Sequence, residues 1–205
     1  MPTDQKHYTP QQLIEKYCAD DSFRSKVSHG IFRKHGDSIE FHPVIAPFVA
    51  AGELIGQLPL PSIGHLIFHE KPLRFTVDFN TADFISLDNP LPYSFSESLT
   101  TLMKLRKETN ESLAEACNLS SKTISRLRNR ETDPSKENVV ALCIGLKLDP
   151  YIGHQLLDRA GRSLSGDEVG RAYDFLISIA MGIDINEANE MLKKMDLPTL
   201  GSQEF

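Results

Sequence analysis

The fold of the second half of this 205-residue chain is indicated most clearly by residues 109–129, which read TNESLAEACNLSSKTISRLRN. Thr109 is a typical helix N-cap residue, and it precedes a short amphipathic segment that would bury Leu113. Asn118 stands where the chain must turn sharply, and asparagine tolerates the left-handed backbone conformation better than most residues. Because Ser120 can cap a further helix, the segment predicts two short helices joined by a tight turn.

The second of these short helices has two different faces. Ile124 and Leu127 lie three residues apart and fall on its inner face. The outward positions carry small polar and basic side chains, namely Ser121, Lys122, Ser125 and Arg126. In a helix-turn-helix, the second helix presents such side chains to the major groove of DNA. The pattern therefore predicts a DNA-binding helix pair.

Apolar residues at helical spacing continue through the rest of the second half. A helix opening at Pro134 has apolar side chains at positions i, i+3, i+4 and i+7, which are Val139, Leu142, Cys143 and Leu146. A similar spacing recurs at Val169, Ala172, Tyr173, Leu176, Ile177 and Ala180. Asp184 and Glu187 form a capping-box pair at the start of a last helix. The whole second half is therefore predicted to be helical.

The first half has a mixed pattern. Thr9 and Pro10 predict the start of a helix that runs to about Cys18. A second helix is predicted from Asp21 until Gly36. Further along, the apolar residues Leu73, Phe75, Val77 and Phe79 alternate with polar ones, which is typical of a half-buried β-strand, and residues 82–87 are a candidate partner strand.

These patterns predict a mainly α protein that begins with a small mixed α+β segment. The length of 205 residues allows one or two compact units. We expect an N-terminal segment at residues 1–90, a linker at 91–96, a DNA-binding unit at 97–161 and a helical extension at 162–205. The 40% hydrophobic and 24% charged residues are close to globular averages, which argues against a disordered chain.

Charge is unevenly distributed along the chain. The net charge of −6 would by itself argue against a nucleic-acid binder. Residues 1–95 have 8 basic and 11 acidic side chains, residues 96–161 have 10 and 9, and residues 162–205 have 4 and 8. Residues 118–130 contain no acidic side chain and four basic ones, Lys122, Arg126, Arg128 and Arg130. Such a local basic stripe is what a phosphate backbone attracts.

From about Leu99 to Leu157 the chain resembles the Cro/lambda-repressor-like (XRE-type) family of helix-turn-helix DNA-binding domains. The resemblance is carried, in chain order, by Thr109 with Leu113-Ala114, by Ser120-x-x-x-Ile124-Ser125-x-Leu127, by Pro134-Ser135 with Leu142 and Leu146, and by Leu148-Asp149-Pro150. The family often has glycine at the positions of Lys107 and Asn118 and glutamate at that of Arg128. The resemblance implies a lambda-repressor-like five-helix domain.

The family's mode of docking implies roles for nine side chains. The base edges would be contacted by Ser121, Lys122, Ser125 and Arg126. The phosphates would be contacted by Asn110, Ser120, Arg128, Asn129 and Arg130. The implied protein is a sequence-specific regulator of transcription, such as a repressor, and not an enzyme, with no catalytic residue, cofactor or metal. A single recognition helix reads about half a site, so we expect a homodimer on a near-palindromic duplex.

Two other interpretations of these residues stay open. The basic side chains of residues 118–130 would also suit a solvated helix face that binds nothing. Alternatively, the N-terminal segment is the working part, either a module that binds a ligand, protein or peptide, or a degenerate metallopeptidase-like module. The helix-turn-helix would then tether that module to DNA.

The metallopeptidase comparison depends on two histidines in the first half. His65 and His69 are four residues apart, loosely similar to the last part of an HExGHxxxH zinc motif. The first histidine and the glutamate of that motif would fall on Pro61 and Ser62. Because that glutamate is the residue that activates water, we expect neither a zinc site nor hydrolase activity here.

The apolar stripes of the last two helices have two possible locations. They comprise Leu176, Ile177, Met191, Leu192 and Met195. The location that we favour is the interface of the expected homodimer, because two half-sites that are bound together gain effective concentration. The other is the surface of the DNA-binding unit, which these helices would cover.

Composition also bears on compartment. No apolar run approaches the roughly 20 residues that span a bilayer, so we expect no membrane partner. Residues 1–10 lack the order of a signal peptide. Cys18, Cys117 and Cys143 are widely spaced and form no CxxC pair, so we expect a cytoplasmic protein. Cys117 and Cys143 occupy apolar helical positions and are expected to be core residues.

Overall fold

The computed structural model describes residues 6–27, 30–35, 38–43, 75–78 and 91–201. Within these ranges the chain forms four strands, nine α-helices and one 3-10 helix. The first half contains β1 (Lys6–Tyr8), α1 (Pro10–Ala19), α2 (Asp21–Val27), β2 (Gly30–His35), β3 (Ser38–Pro43) and β4 (Phe75–Asp78). The second half contains α3 (Phe95–Arg106), α4 (Asn110–Cys117), α5 (Ser121–Arg128), α6 (Lys136–Gly145), α7 (Pro150–Arg159), α8 (Glu168–Ile179), the 3-10 helix (Ala180–Gly182) and α9 (Ile185–Lys194). The prediction of a mainly helical protein with a small mixed segment is confirmed.

The four strands form one sheet in the order β1-β4-β3-β2. β4 pairs in parallel with β1 and antiparallel with β3, and β3 pairs antiparallel with β2. Phe41 lies opposite Phe75 across β3 and β4, and their stacked rings are 4.9 Å apart. Phe75 and Val77 of β4 are fully buried, as predicted, but Thr76 between them is buried as well, so the prediction of a strand with one exposed face is wrong here. The candidate partner strand at residues 82–87 lies outside the described residues.

The two N-terminal helices begin at capping residues. The Thr9 side chain accepts a hydrogen bond from the Gln12 backbone N–H, and the Gln12 side chain accepts one from the Thr9 N–H. α1 therefore starts where the sequence predicts. α2 is capped by Asp20, which accepts from the Phe23 N–H, and this bond holds the pKa of the Asp20 carboxyl below its ordinary value.

The prediction of one helix from Asp21 to Gly36 is wrong. α2 ends at Val27, and residues 30–35 pair with β3 as strand β2. Gly30 is a poor helix former, and the aliphatic and aromatic residues at positions 31 and 32 favour extended backbone once a partner strand is present. The partner lies beyond the predicted helix, so local spacing alone did not reveal the strand.

Helix α6 is the centre of the helical half. It begins at Lys136 after the N-cap Ser135, two residues later than predicted. The four apolar positions predicted to face the core are all buried, but α6 is buried on every side, since Val140, Ala141 and Ile144 are also 0% exposed. Helices α4, α7, α8 and α9 all contact it. Among the described helices, none is long and apolar enough to cross a membrane.

A glycine allows α4 to lie close to α6. A Cβ atom on Gly145, the last residue of α6, would overlap the Cys117 Sγ atom at the end of α4. Cys117 and Cys143 are both 0% exposed, which confirms that they are core residues. Burial raises the pKa of the Cys117 thiol to about 12 and also raises that of Cys143, so both thiols stay protonated at neutral pH.

The last two α-helices bury their apolar stripes within the same chain. Leu176, Ile177, Met191 and Leu192 are all 0% exposed, and Met195 is half-buried. α8 lies against α6 and α7, whereas α9 lies against α1 and α6. The favoured prediction that these stripes form a subunit interface is therefore wrong, because they cover other helices of the same chain. The predicted capping box of Asp184 and Glu187 is confirmed.

Helix α1 joins the first half of the chain to α8 and α9. The Tyr17 ring stacks on the Phe175 ring of α8, with centroids 4.0 Å apart and planes 13° from parallel. Gln11 Nε2 donates a 2.9 Å hydrogen bond to Glu187 Oε1 on α9. Because Tyr17 and Phe175 are 2% exposed, the contact belongs to the core.

The residues after α9 fold back onto the turn between α4 and α5. The Leu200 N–H donates to Asn189 Oδ1 over 2.7 Å, and Asn189 Nδ2 donates to the Leu200 carbonyl oxygen over 3.1 Å. Gly201 follows with a φ of +87°, and a Cβ atom there would overlap the backbone oxygen of Asn118. We call Asn189, Leu200 and Gly201 the C-terminal latch.

An exposed ion pair joins α7 to α8. His154 Nε2 lies 3.2 Å from Asp174 Oδ1, and both side chains are nearly half exposed. The hydrogen bond with Asp174 raises the pKa of His154 above its ordinary value of 6.5. Protonated His154 therefore stabilises the fold, fully below about pH 6.5 and less as the pH rises through the folded-state pKa.

We expect His154→Gln to lower the free energy of unfolding at pH 5.5 by more than at pH 9. The reason is that the ion pair exists only while the imidazole is protonated. Denaturant unfolding of both proteins at the two pH values measures the difference. Asp174→Asn should reduce the same pH dependence. An equal difference between wild type and His154→Gln at both pH values would contradict this assignment.

Candidate nucleic-acid interface

The helix pair α4–α5 has the caps and turn that its sequence predicts. The Thr109 side chain accepts from the Ser112 N–H at 3.1 Å, and the Ser120 side chain accepts from the Thr123 N–H at 3.0 Å. Asn118 has the left-handed conformation, with φ 53° and ψ 42°. These local interactions fix where α4 ends and where α5 begins, three residues after the left-handed turn.

Helix α5 has one buried and one open face. Ile124 and Leu127 are 0% and 1% exposed and contribute to the core. We define the α5 face as the four side chains predicted to contact bases, of which Ser121, Lys122 and Arg126 are exposed and Ser125 is half-buried. In the part of the chain that the structure describes, Lys122 and Arg126 make no hydrogen bond or ion pair. Their charges are therefore available to a ligand.

Arg128 connects the end of α5 to the start of α4. Its Nη1 atom donates a 2.7 Å hydrogen bond to Asn110 Oδ1, and its Nε atom is buried without a partner among the described residues. Because the guanidinium takes the amide oxygen of Asn110, the amide nitrogen of that side chain remains as a donor. Arg128 thus braces the helix pair.

Arg130 is attached to the start of α3. It has the left-handed conformation, and its guanidinium donates to the side chains of Ser94, Ser96 and Glu97, each over 2.8 Å. Both partners of the Arg130–Glu97 ion pair are 59% exposed, so the pair stabilises the fold little. Glu97 nevertheless offsets part of the positive charge predicted for this position.

The sequence at the beginning of α3 contains a helix-capping signal that the predicted domain boundaries do not take into account. Ser94 and Glu97 have capping-box spacing, and Ser94 accepts a hydrogen bond from the Glu97 N–H. α3 accordingly begins at Phe95, inside the segment assigned to a linker, and Leu91 before it is 3% exposed.

The other two predicted phosphate-contacting side chains also make local bonds. Ser120 caps α5 and shares a 2.8 Å hydrogen bond with the Thr123 hydroxyl. Asn129 is exposed at the end of α5 and donates to Glu131 Oε1 over 3.2 Å. The structure thus gathers the predicted base-contacting residues on one face, while the predicted phosphate-contacting residues hold the edges of the helix pair.

The described residues do not test the zinc prediction. His65 and His69 lie outside them, together with Pro61 and Ser62. Across residues 6–27, 30–35, 38–43, 75–78 and 91–201, no three His, Cys, Asp or Glu side chains come together as a metal site would require.

Comparison with known proteins identifies no relative of this chain. No protein-family model, curated protein or solved structure matches the chain. Its function is therefore inferred from its own residues and from the resemblance in residue pattern between Leu99 and Leu157.

Proposed function

We propose that this protein binds double-stranded DNA sequence-specifically through α5 and regulates transcription, for example as a repressor. The observation that supports the proposal most is that Lys122 and Arg126 on the α5 face have no hydrogen-bond or ion-pair partner among the residues that the structure describes. Residues 118–130 contain no acidic side chain that could pair with them locally, so their positive charge is left to attract a phosphate backbone. A capped helix after a tight turn is also how a helix-turn-helix presents side chains to the major groove.

Base recognition in this proposal depends mainly on Arg126. An arginine fork can donate two parallel hydrogen bonds to guanine O6 and N7, which no other base pair reproduces in the major groove. Lys122 can donate to the same acceptors as a single charged group, and Ser121 and Ser125 are short enough to allow close approach. Arg126 is therefore the residue to which we assign most of the discrimination.

In this proposal, the phosphate contacts orient α5 on the duplex and do not contribute to sequence recognition. Arg128 holds the amide oxygen of Asn110, and the amide nitrogen, which has no partner among the described residues, can donate to a phosphate oxygen. Asn110 is the first residue of α4, where the helix dipole also favours an anion. Arg128 supplies positive charge beside the same phosphate and keeps α4 and α5 at a fixed angle.

We assign α3 to α7 as the five helices of a lambda-repressor-like domain and expect the protein to act as a homodimer. One α5 covers about half of a site, and two protomers would pair on a near-palindrome. The pairing surface must differ from the apolar stripes of α8 and α9, which are buried within one chain.

Arg126→Ala should weaken binding to the preferred duplex by about 1–3 kcal/mol, because it removes a bidentate base contact. The preferred duplex is obtained by selection from random DNA, and affinities are measured on it and on its single base-pair variants. We expect the variant to lose discrimination at one base-pair position per half-site. Lys194→Ala, which removes an exposed charge from α9, is the matched control. If Arg126→Ala binds every duplex as the wild type does, α5 is not the recognition helix.

A further inference from the structure

A second basic surface lies where α5 ends. Arg130 and Arg159 line a cleft of about 260 Å³, together with Ser94, Thr132 and Asp133. Leu127 of α5 also lines the cleft, so it begins directly beyond the proposed recognition helix. Arg130 is paired with Glu97 and Asp133 also lines the cleft, so the positive charge left for a ligand is chiefly that of Arg159.

An exposed aromatic ring extends this surface. Tyr93 is 92% exposed, and its ring centroid lies 5.3 Å from Arg159 Cζ. Arg159 Nε donates a 2.9 Å hydrogen bond to the Pro92 carbonyl oxygen, which holds the guanidinium beside the ring. The two terminal nitrogens of Arg159 have no partner among the described residues. They are left to bind an external acceptor.

We infer that Tyr93, Arg130 and Arg159 hold the sugar–phosphate backbone of the DNA flank beyond the bases that α5 reads, an inference that rests on the proposed function. The free end of Arg159 donates two parallel hydrogen bonds to one phosphate, as a guanidinium does. The Tyr93 ring packs against the adjacent sugar. Arg130 shares its charge between Glu97 and the phosphate.

Duplex DNA suits this surface better than a peptide does. The surface lies at the C-terminal end of α5, since Arg130 follows that helix after a single residue. Its polar binding groups are two guanidinium groups and a flat ring, which fit a phosphate and a sugar. Contacts of this kind do not depend on the base sequence of the DNA, and they increase the salt dependence of binding.

The test compares two duplexes, the selected site alone and the same site extended by about 10 base pairs, one helical turn, on each side. On the extended duplex, Arg159→Ala should weaken binding roughly three- to tenfold at low salt and lower the salt slope by about 0.9 per protomer. Tyr93→Ala should weaken it less. On the short duplex both variants should bind as the wild type does.

Two further variants make the comparison sharp. Tyr151→Ala removes another exposed tyrosine, 74% exposed on α7, and should change neither duplex. Glu97→Gln removes the acid that pairs with Arg130 and should strengthen binding to the extended duplex, which keeps the test informative if Arg159→Ala fails to fold.

The outcomes separate this inference from the proposed function. If Arg126→Ala weakens binding but Tyr93→Ala, Arg159→Ala and Glu97→Gln all bind the extended duplex as the wild type does, the flank contact is overturned alone. Equal losses on both duplexes for Tyr93→Ala and Arg159→Ala would also overturn it. If the wild type binds no duplex, the proposed function fails and this inference with it.

Discussion

Tyr17→Ala is expected to lower the free energy of unfolding by about 3–5 kcal/mol, the range for removing a large aromatic side chain from a core. The Tyr17 ring is 2% exposed and stacks on Phe175, so the substitution leaves a cavity between α1 and α8. Stacked aromatic pairs also contribute about 0.5–1.5 kcal/mol beyond the area they bury. The substitution leaves the proposed DNA-binding residues intact.

Denaturant unfolding followed by circular dichroism measures this effect. Because most of the described helical residues belong to α3–α9, the signal reports chiefly on the second half, although the substitution lies in the first. Tyr17→Phe is the control, since it keeps the ring and should change the midpoint little. If Tyr17→Ala leaves the midpoint at the wild-type value, α1 does not stabilise the helical half.

Asn189→Ala is expected to lower the free energy of unfolding by about 2–6 kcal/mol, because it removes both hydrogen-bond partners of the buried Leu200 backbone. Each buried backbone group left without a partner costs about 1–3 kcal/mol. The substitution also frees Gly201 from the Asn118 turn, so DNA affinity should fall at a temperature where the variant is still folded.

Thermal unfolding and duplex affinity, measured on the same samples, test this prediction. Asn186→Ala is a matched control, since Asn186 is an exposed asparagine on the same helix. Two results would contradict the role of the C-terminal latch: an unfolding temperature equal to that of the control, or a destabilised variant whose affinity for DNA is unchanged.

The parts of the fold that sequence predicts are those fixed by neighbouring residues. Thr109, Asn118 and Ser120 act on backbone groups within three residues of themselves, and each has the predicted role. The same is true of Thr9 and Asp184. Strand β2 was missed because its pairing with β3, not its own pattern, decides its conformation.

In the candidate site, too, the features that depend on local spacing were predictable and those that depend on tertiary contacts were not. Helical spacing was enough to separate Ile124 and Leu127 from the α5 face. It did not show that Arg128 bonds a residue 18 positions earlier or that Arg130 bonds one 34 positions earlier. A charge is visible in a sequence, but its intramolecular partner is a matter of tertiary structure. The full burial of α6 was missed for the same reason, since four other helices surround it.

The contact of α1 with α8 and α9 also has a consequence for how the chain folds during synthesis. Gln11 and Glu187 are 176 positions apart, so α1 leaves the ribosome long before its partners exist. Until then the Tyr17 ring has no Phe175 ring to cover it. Contacts of such long range slow folding, and apolar surface that waits for a partner invites aggregation or binding by chaperones. We therefore expect the nascent chain to depend on chaperones until α8 and α9 have emerged.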